Sequence, residues 1–222
     1  MSYMWNEFNI KTFPAETIVY RDGVFCPDLS TLPDATISKK YDLPVHIIYV
    51  GEIAGKCRLN IESGVQNQKI IISVNIKIQK PAFLNIFIKN AGENSEIRGT
   101  VLVQNSSEFT YDCVAQHLNK NTSVIIKNKL LAYKNSVSKL SGVAIINPDC
   151  PDCESDISFS AMADQGAKID FMPAQRISSE PISAEHSASI YKPTDAQILY
   201  LREAGLSGAE VDNVIKEAFL SE

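Results

Sequence analysis

The chain is most informative in what it withholds. Nowhere in its 222 residues is there an uninterrupted apolar run of about 18, the length a membrane-spanning helix needs. The start, "MSYMWNEFNIKTFPAETIVY", has neither a basic opening nor a long apolar stretch, so no secretory leader is expected and the expected location is cytoplasmic. No surplus of Lys and Arg exists: formal charge is −5, which argues against nucleic acid as a partner. A phosphate-binding GxxxxGK[ST] loop is absent, so the chain is not expected to hydrolyse ATP or to act as an enzyme. Histidine is scarce at three, and the five cysteines (Cys26, Cys57, Cys113, Cys150, Cys153) are an odd number, read as free thiols in a reducing compartment. Between about residues 43 and 190 no segment has the length and 3.6-residue period of a helix, which makes βαβ winding improbable.

What is present is β-rich. Short runs such as "VHIIYV", "KIIISVNIKI", "FLNIFI", "IRGTVLVQ", "EFTYDCVAQ", "SVIIKNKLLAY", "SVSKLSGVAII" and "ISFSAMA" alternate apolar with polar residues and are separated by polar breaks. Their even spacing over about 150 residues favours a solenoid of stacked coils over a Greek-key sandwich, although no strict repeat consensus is visible. Asparagine recurs at the breaks (Asn67, Asn90, Asn94, Asn105, Asn119, Asn121, Asn135), as tight corners in the left-handed conformation favour. Upstream, Asp22–Gly23 supplies a hairpin turn between "TIVYR" and "VFC". The last 31 residues differ: Thr194 with Gln197, then Ser207 with Glu210, read as two helix-capping boxes, with Gly205 as the stop between them. Val211, Val214, Ile215, Ala218 and Phe219 share one face of the second helix. The expected organisation is residues 1–40 as an N-terminal segment with its hairpin, 41–191 as the β core, and 192–222 as a helical hairpin.

Four sets of side chains are candidates for chemistry. In "SAEHSASIY" the pair Glu185–His186 offers an imidazole and a carboxylate, side chains able to bind a metal ion. On a strand, neighbours point to opposite faces, so only one of the two should reach a given site unless the backbone bends; the competing reading is an exposed histidine in a polar linker. Cys150 and Cys153 form "DCPDC", half of a four-thiolate metal site or a redox pair, against the plainer reading of a loop with two incidental thiols. His46 and His117 are expected to be satisfied sheet residues. Lys127, Lys129 and Lys134 read as a solvated edge.

The tail "AEHSASIYKPTDAQILYLREAGLSGAEVDNVIKEAFL" resembles the C-terminus of the SufB/SufD family of iron–sulfur cluster assembly proteins, through Asp195, Gln197-Ile198-Leu199-Tyr200-Leu201, Gly205-Leu206-Ser207 and Phe219. "IVYRDGVFCPDLS", "LPVHIIYVGEIAGKCRLNIESGVQ" and "AKIDFMPAQRI" extend the likeness upstream. The resemblance implies a right-handed parallel β-helix followed by C-terminal helices, here in a short form lacking the family's N-terminal helical domain. Counting back from His186 through Pro173 puts Ser158 where the SufB branch has its scaffold cysteine, so the chain looks closer to SufD. What the resemblance implies for function is a scaffold dimer, with a SufB-type partner or with itself. It carries a transient iron–sulfur cluster, with His186 and Glu185 at the dimer interface. A SufC-type ATPase would dock on the helices near Tyr200, Leu201, Gly205, Val211, Ile215 and Phe219. Two rivals stand beside it: a degenerate β-helix interaction module without cluster chemistry, and a β-helix enzyme acting on acidic polysaccharide, for which the scattered aspartates speak poorly.

Overall fold

In the computed structural model, which describes residues 16–22, 24–32 and 41–221, the chain winds as a parallel β-solenoid of about six turns ending in two helices. Each turn lays one strand in each of two facing sheets. With β4 at Gly55–Ser63, β5 at Lys69–Ile78, β6 at Ala82–Asn90 and β7 at Glu96–Asn105, and the other strands given below, one sheet has the order β13-β11-β9-β7-β5-β3-β1-β2 and the other β12-β10-β8-β6-β4. The strands that matter most below are β8 (Glu108–His117), β9 (Ser123–Ala132), β10 (Val137–Ile146), β11 (Cys153–Ala163), β12 (Lys168–Ile177) and β13 (Ile182–Tyr191). A sandwich or closed barrel is thereby excluded. The expected hairpin is present as β1 (Glu16–Arg21) and β2 (Val24–Phe25), and Asp22 has φ of 51°; Gly23 lies outside the described residues. Because β1 also pairs in parallel with β3 (Val45–Glu52), the stacked body begins before residue 41; the rest of segment 1–40 is outside the described residues apart from 24–32.

Parallel stacking in register makes columns of equivalent residues. Inward positions are aliphatic, for example Ile47, Ile72, Gly99, Ile126 and Ile157, one above the other. Outward positions are mixed. This is the alternation of a two-residue side-chain period with one face buried, repeated coil after coil.

The corners explain the asparagines, and they divide into two kinds. Asn67, Asn94, Asn121 and Asn135 have φ between 53° and 61°, the left-handed conformation expected of them. At one corner this geometry lets each coil hold the next: the amides of Asn67, Asn94 and Asn121 donate to the carbonyls of Glu93, Lys120 and Pro151, and Asp152 continues the series to Pro181. Asn90 and Asn105 do not take that conformation. They are fully buried at strand ends, where a corner interrupts the ladder and their amides supply the missing donors. Asn90 Nδ2 donates to the carbonyls of Ser95 (3.2 Å) and Ser123 (3.1 Å). Asn105 Nδ2 donates to Val137 O (3.1 Å) and to Ser138 Oγ (2.8 Å). Asn119 donates to Ala91 O from a half-buried position.

Helices α1 (Asp195–Glu203) and α2 (Gly208–Ser221) form as their caps dictate. Thr194 and Gln197 close a capping box, and Ser207 and Glu210 exchange the same pair of bonds. Gly205, at φ of 91°, makes the turn between them. Phe219 of α2 packs on Leu131 and Met162, on the outer face of the β9/β11 sheet, and stacks on Tyr191 at 6.0 Å. Lys129 is not a solvated edge residue: its Nζ donates to Phe219 O (2.8 Å) and lies over the Phe219 ring. Lys216 pairs with Asp164 at 2.8 Å. The helices are therefore fastened to the side of the solenoid.

Replacing Asn90 with Ala should lower unfolding stability by about 2–3 kcal/mol, because two carbonyls lose their donor in a dry interior. A reduced urea midpoint with an unchanged slope is the expected result.

Candidate functional site

The C-terminal end of the solenoid is open. β12 and β13 are the edge strands of their sheets, and their side chains are largely exposed where those of the preceding coil are buried. The register places each candidate residue. Ile157, buried in the core, is level with His186, so the imidazole occupies the inward column otherwise held by Ile47, Ile72, Gly99, Ile126 and Ile157. Asp156 and Ser158, on the outer face, are level with Glu185 and Ser187. Glu185 and His186 thus point to opposite faces, as a two-residue period requires, and the backbone does not bend to reunite them. Burial and then the charge of Glu185 raise the Asp156 carboxyl above its usual range, which agrees with two carboxylates side by side outside. Ser158 also belongs to the outer face, away from the imidazole.

Around His186 the open end is apolar. Ile169, Phe171, Pro173 and Ile177 continue the inward columns of β10, while Ile182, Ala184, Ala188 and Ile190 continue those of β11. One coil earlier, a Cβ on Gly142 would lie 2.8 Å from Ile157 Cγ2, and Pro173 and His186 are the next members of those two columns. Among the described residues no three His, Cys, Asp or Glu side chains converge into a metal-binding group.

Cys150 and Cys153 are buried in a corner with Ile146, Ile182 and Ala184. Their placement follows from the columns. Gln68, Ser95, Thr122 and Cys153 are stacked at equivalent positions, facing a second stack of Ser63, Asn90, His117 and Ile146. In the coil that holds His117, Nδ1 of the ring lies 2.7 Å from Thr122 Oγ1, which itself donates to Asn119 O and lies 3.1 Å from Cys153 Sγ. That pattern assigns the proton to Nδ1 and leaves the buried Nε2 without a hydrogen-bond partner. Cys150 points at backbone carbonyls, and burial and then Cys153 push its thiol up, away from the reactive thiolate. The pair fills a corner and, among the described residues, joins no group of three metal-ligating side chains. His46 bonds Ser73 Oγ at 2.8 Å.

The helical candidates separate by exposure. Val211 and Phe219 are buried, Phe219 against the body, and Leu201 and Ile215 are half-buried. Tyr200 is 72% exposed, beside Leu199 at 57% and Val214 at 39%. Leu199 on α1 and Val214 on α2 are, with Tyr200, the large apolar side chains that the two helices leave exposed among the described residues. The sequence signal for Leu199 was its place next to Tyr200 in the amphipathic run; nothing in the run alone says which side meets the solenoid.

A family model described as "SUF system FeS cluster assembly, SufBD core domain" matches residues 56–219. No curated protein matches the chain.

Burial holds His117 neutral and lowers its pKa to about 4, whereas the unfolded chain titrates near 6.5. The unfolded state therefore binds the extra proton between those values, and stability is full above about pH 6.5 and lost as pH falls toward 4, by about 3 kcal/mol. A His117→Asn variant, matching Asn90 in the same stack, should show a flatter stability profile over pH 4–7 in chemical denaturation. Thiol titration should find Cys26 and Cys57 reactive in the native protein, and Cys113, Cys150 and Cys153 reactive only after denaturation, since these three are buried.

Proposed function

The chain belongs to the SufBD core-domain family of iron–sulfur cluster assembly, and we propose that it serves as a SufD-like scaffold that pairs through its open end and recruits a SufC-type ATPase through its helices. The observation that carries this reading is the position of His186. An imidazole placed in a column of core aliphatics has no use inside a single solenoid, and it sits where the column is left uncovered. A partner set against that end would enclose it among Ile182, Ala184, Ala188 and Ile190, in a site drier than a free surface.

The iron–sulfur cluster in this reading is cargo. His186 is one nitrogen donor of moderate strength, so the remaining ligands come from across the seam, and a set poorer in thiolate than a resident cluster site releases what it holds more readily. Glu185 takes no part, because it lies on the outer face. Ser158 in the place of a thiol means that sulfur is supplied by another component.

The ATPase meets the exposed face of Leu199, Tyr200 and Val214, with Gly205 at its edge. Phe219, with Ile215 and Leu220 beside it, holds α2 on the solenoid through Leu131 and Met162, so movement of the docked ATPase is transmitted to β9, β11 and β13 as a rigid lever. Leu201 and Ile215 line the boundary between the two roles. Hydrolysis belongs to the ATPase, and the chain itself performs no catalysis.

Anaerobic reconstitution tests the reading. His186→Ala should retain several-fold less iron than wild type in the assembled complex, whereas Glu185→Ala should match wild type. Tyr200→Asp should reduce capture of a SufC-type ATPase about tenfold or more with thermal stability unchanged, since the ring is exposed and contributes little to folding. Equal iron retention by His186→Ala and wild type would leave an interaction module without cluster chemistry.

A further inference from the structure

We propose that Cys150 and Cys153 form a two-coordinate site for a soft monovalent metal ion of the Cu(I) kind, closed beneath the last coil and supported by Thr122 and His117. The site lies within one chain, and the proposal does not rest on the scaffold reading above.

The first argument is the course of the chain at this corner. The two preceding coils cross it with four residues each, 91–94 between Asn90 and Ser95 and 118–121 between His117 and Thr122. The next crossing, from Ile146 to Cys153, takes six, 147–152. The longer crossing carries Asp149 and Asp152, both at positive φ, and folds Cys150 back into the corner. There it shares a buried cluster with Cys153, Ile146, Ile182 and Ala184. Pro151 followed by Asp152 at φ of 56° has the form of a type II turn. Such a turn holds the Cα atoms at its two ends within about 7 Å, so the sulfurs of Cys150 and Cys153 can grip one ion. Filling the corner needs only the shorter crossing and Cys153; the second thiol is what the two added residues supply.

The second argument is what surrounds the sulfurs. In the two preceding coils a polar pair closes the corner: Ser95 Oγ donates to Asn90 Oδ1, and His117 Nδ1 bonds Thr122 Oγ1. Cys153 stands in the same stack as Ser95 and Thr122, but Ile146 holds the place opposite, so its sulfur turns to the coil before, 3.1 Å from Thr122 Oγ1. Each sulfur thereby has one donor that can serve a thiolate. For Cys153 it is the Thr122 hydroxyl, which rotates from Asn119 O to the sulfur while His117 Nδ1–H goes on donating to Thr122 Oγ1. For Cys150 it is the Asn147 amide: burial first, then Cys153 and Asp149, push that thiol up, and the amide acts against them. Outer hydrogen bonds of this kind hold metal ligands in place.

The third argument is the number of ligands. Among the described residues no third His, Cys, Asp or Glu side chain joins the pair. Structural zinc and iron–sulfur clusters take four ligands, so a dry pair of thiolates suits neither. Soft thiolates select Cu(I), a closed-shell ion that two sulfurs in line satisfy. On binding, Cu(I) forms two bonds to sulfur, both thiols release their protons to solvent, and no electron is transferred. The product carries one negative charge, which the Thr122 and Asn147 donors offset. Entry is from the open end, where half-buried Ile182 and Ala184 of β13 cover the corner and the last coil opens more readily than the core.

The test uses the full reduced chain without oxygen, in a Cys26→Ser/Cys57→Ser background that removes the two accessible thiols. Cu(I) is supplied as its coloured bicinchoninate complex, to the native protein overnight and, separately, during refolding from urea. The expected result is one Cu(I) per chain withdrawn from the dye, with only sulfur neighbours in X-ray absorption. Cys150→Ala and Cys153→Ser, each confirmed as folded by circular dichroism, should bind it about a hundredfold more weakly, and Zn(II) should be lost on desalting. Thr122→Val should weaken Cu(I) binding about tenfold, and Thr122→Ser should restore it. No copper retained by either route, or equal copper in a Cys150→Ser/Cys153→Ser double variant, would overturn the site. Equal affinity in Thr122→Val and its parent would overturn the support from Thr122 and His117.

Discussion

The constraint on which the rest of this molecule depends is the alternation of inward and outward side chains, held in register by parallel coil-on-coil pairing. Once one coil is placed, every equivalent residue in the stack is committed to a face. A one-residue slip would put Ile72, Ile126 and Ile157 outside and their charged neighbours inside. This commitment separates Glu185 from His186, although they are adjacent in sequence, and puts an imidazole where the stack otherwise has isoleucine. It also fixes the polarity of the backbone, so that inward residues are the ones whose amides face the next coil. At the last coil that same rule leaves apolar side chains and unpaired backbone groups in one place, on β12 and β13.

The corners show how the stack tolerates polarity inside. A solenoid must turn twice per coil, and each turn strands backbone carbonyls in a dry interior. Asn90 and Asn105 answer this with side-chain amides, and His117 and Thr122 answer it in the coil between Asn90 and the thiols. Cys150 and Cys153 are the continuation of that corner toward the open end, where weak sulfur donors and then Ile182 replace the stronger hydroxyls and amides. The CxxC spacing is thus a consequence of a sharp turn flanked by Asp149 and Asp152, both at positive φ, and of a corner that needs small side chains.

Much of this was legible in the residues. The two capping boxes, the Gly205 stop and the Asp22 turn are local signals, and local hydrogen bonds decide them. The stacked β body was legible because interior strands such as Lys69–Ile78 and Val137–Ile146 are strongly β-forming. The last coil was harder: Lys168–Ile177 and Ile182–Tyr191 are polar and small enough to pass for linker, since an end coil has only one neighbour to bury against. The asparagines were legible as corner residues but not as two kinds, because Asn67 and Asn90 differ in conformation and burial, which a residue name does not carry. Lys129 and the apolar stripe of α2 needed the tertiary structure. Phe219 and Val214 lie on the same amphipathic helix, and only the position of Leu131 and Met162 says which of them is covered.

That the helical hairpin sits on the side of the solenoid, and not over its end, carries a physical consequence. Solenoids need a terminal cap to keep their last coil soluble and ordered. Here α2 fastens the C-terminal halves of β9, β11 and β13 through Phe219, Tyr191 and Lys129, while the inward face of the last coil stays exposed. The last coil is then held firmly at one edge and weakly along its centre, where His186 lies. Regions with few buried contacts open at lower free energy than the core. Covering that centre with another protein would order it, and releasing the cover would free it. Because α1, which presents Tyr200 and Leu199 outward, packs on the anchoring α2, a force applied there reaches the strand bearing His186 through Tyr191, five residues along the same chain. The molecule thereby links an exposed apolar face of its helices to an imidazole at its open end through one strand and one aromatic stack.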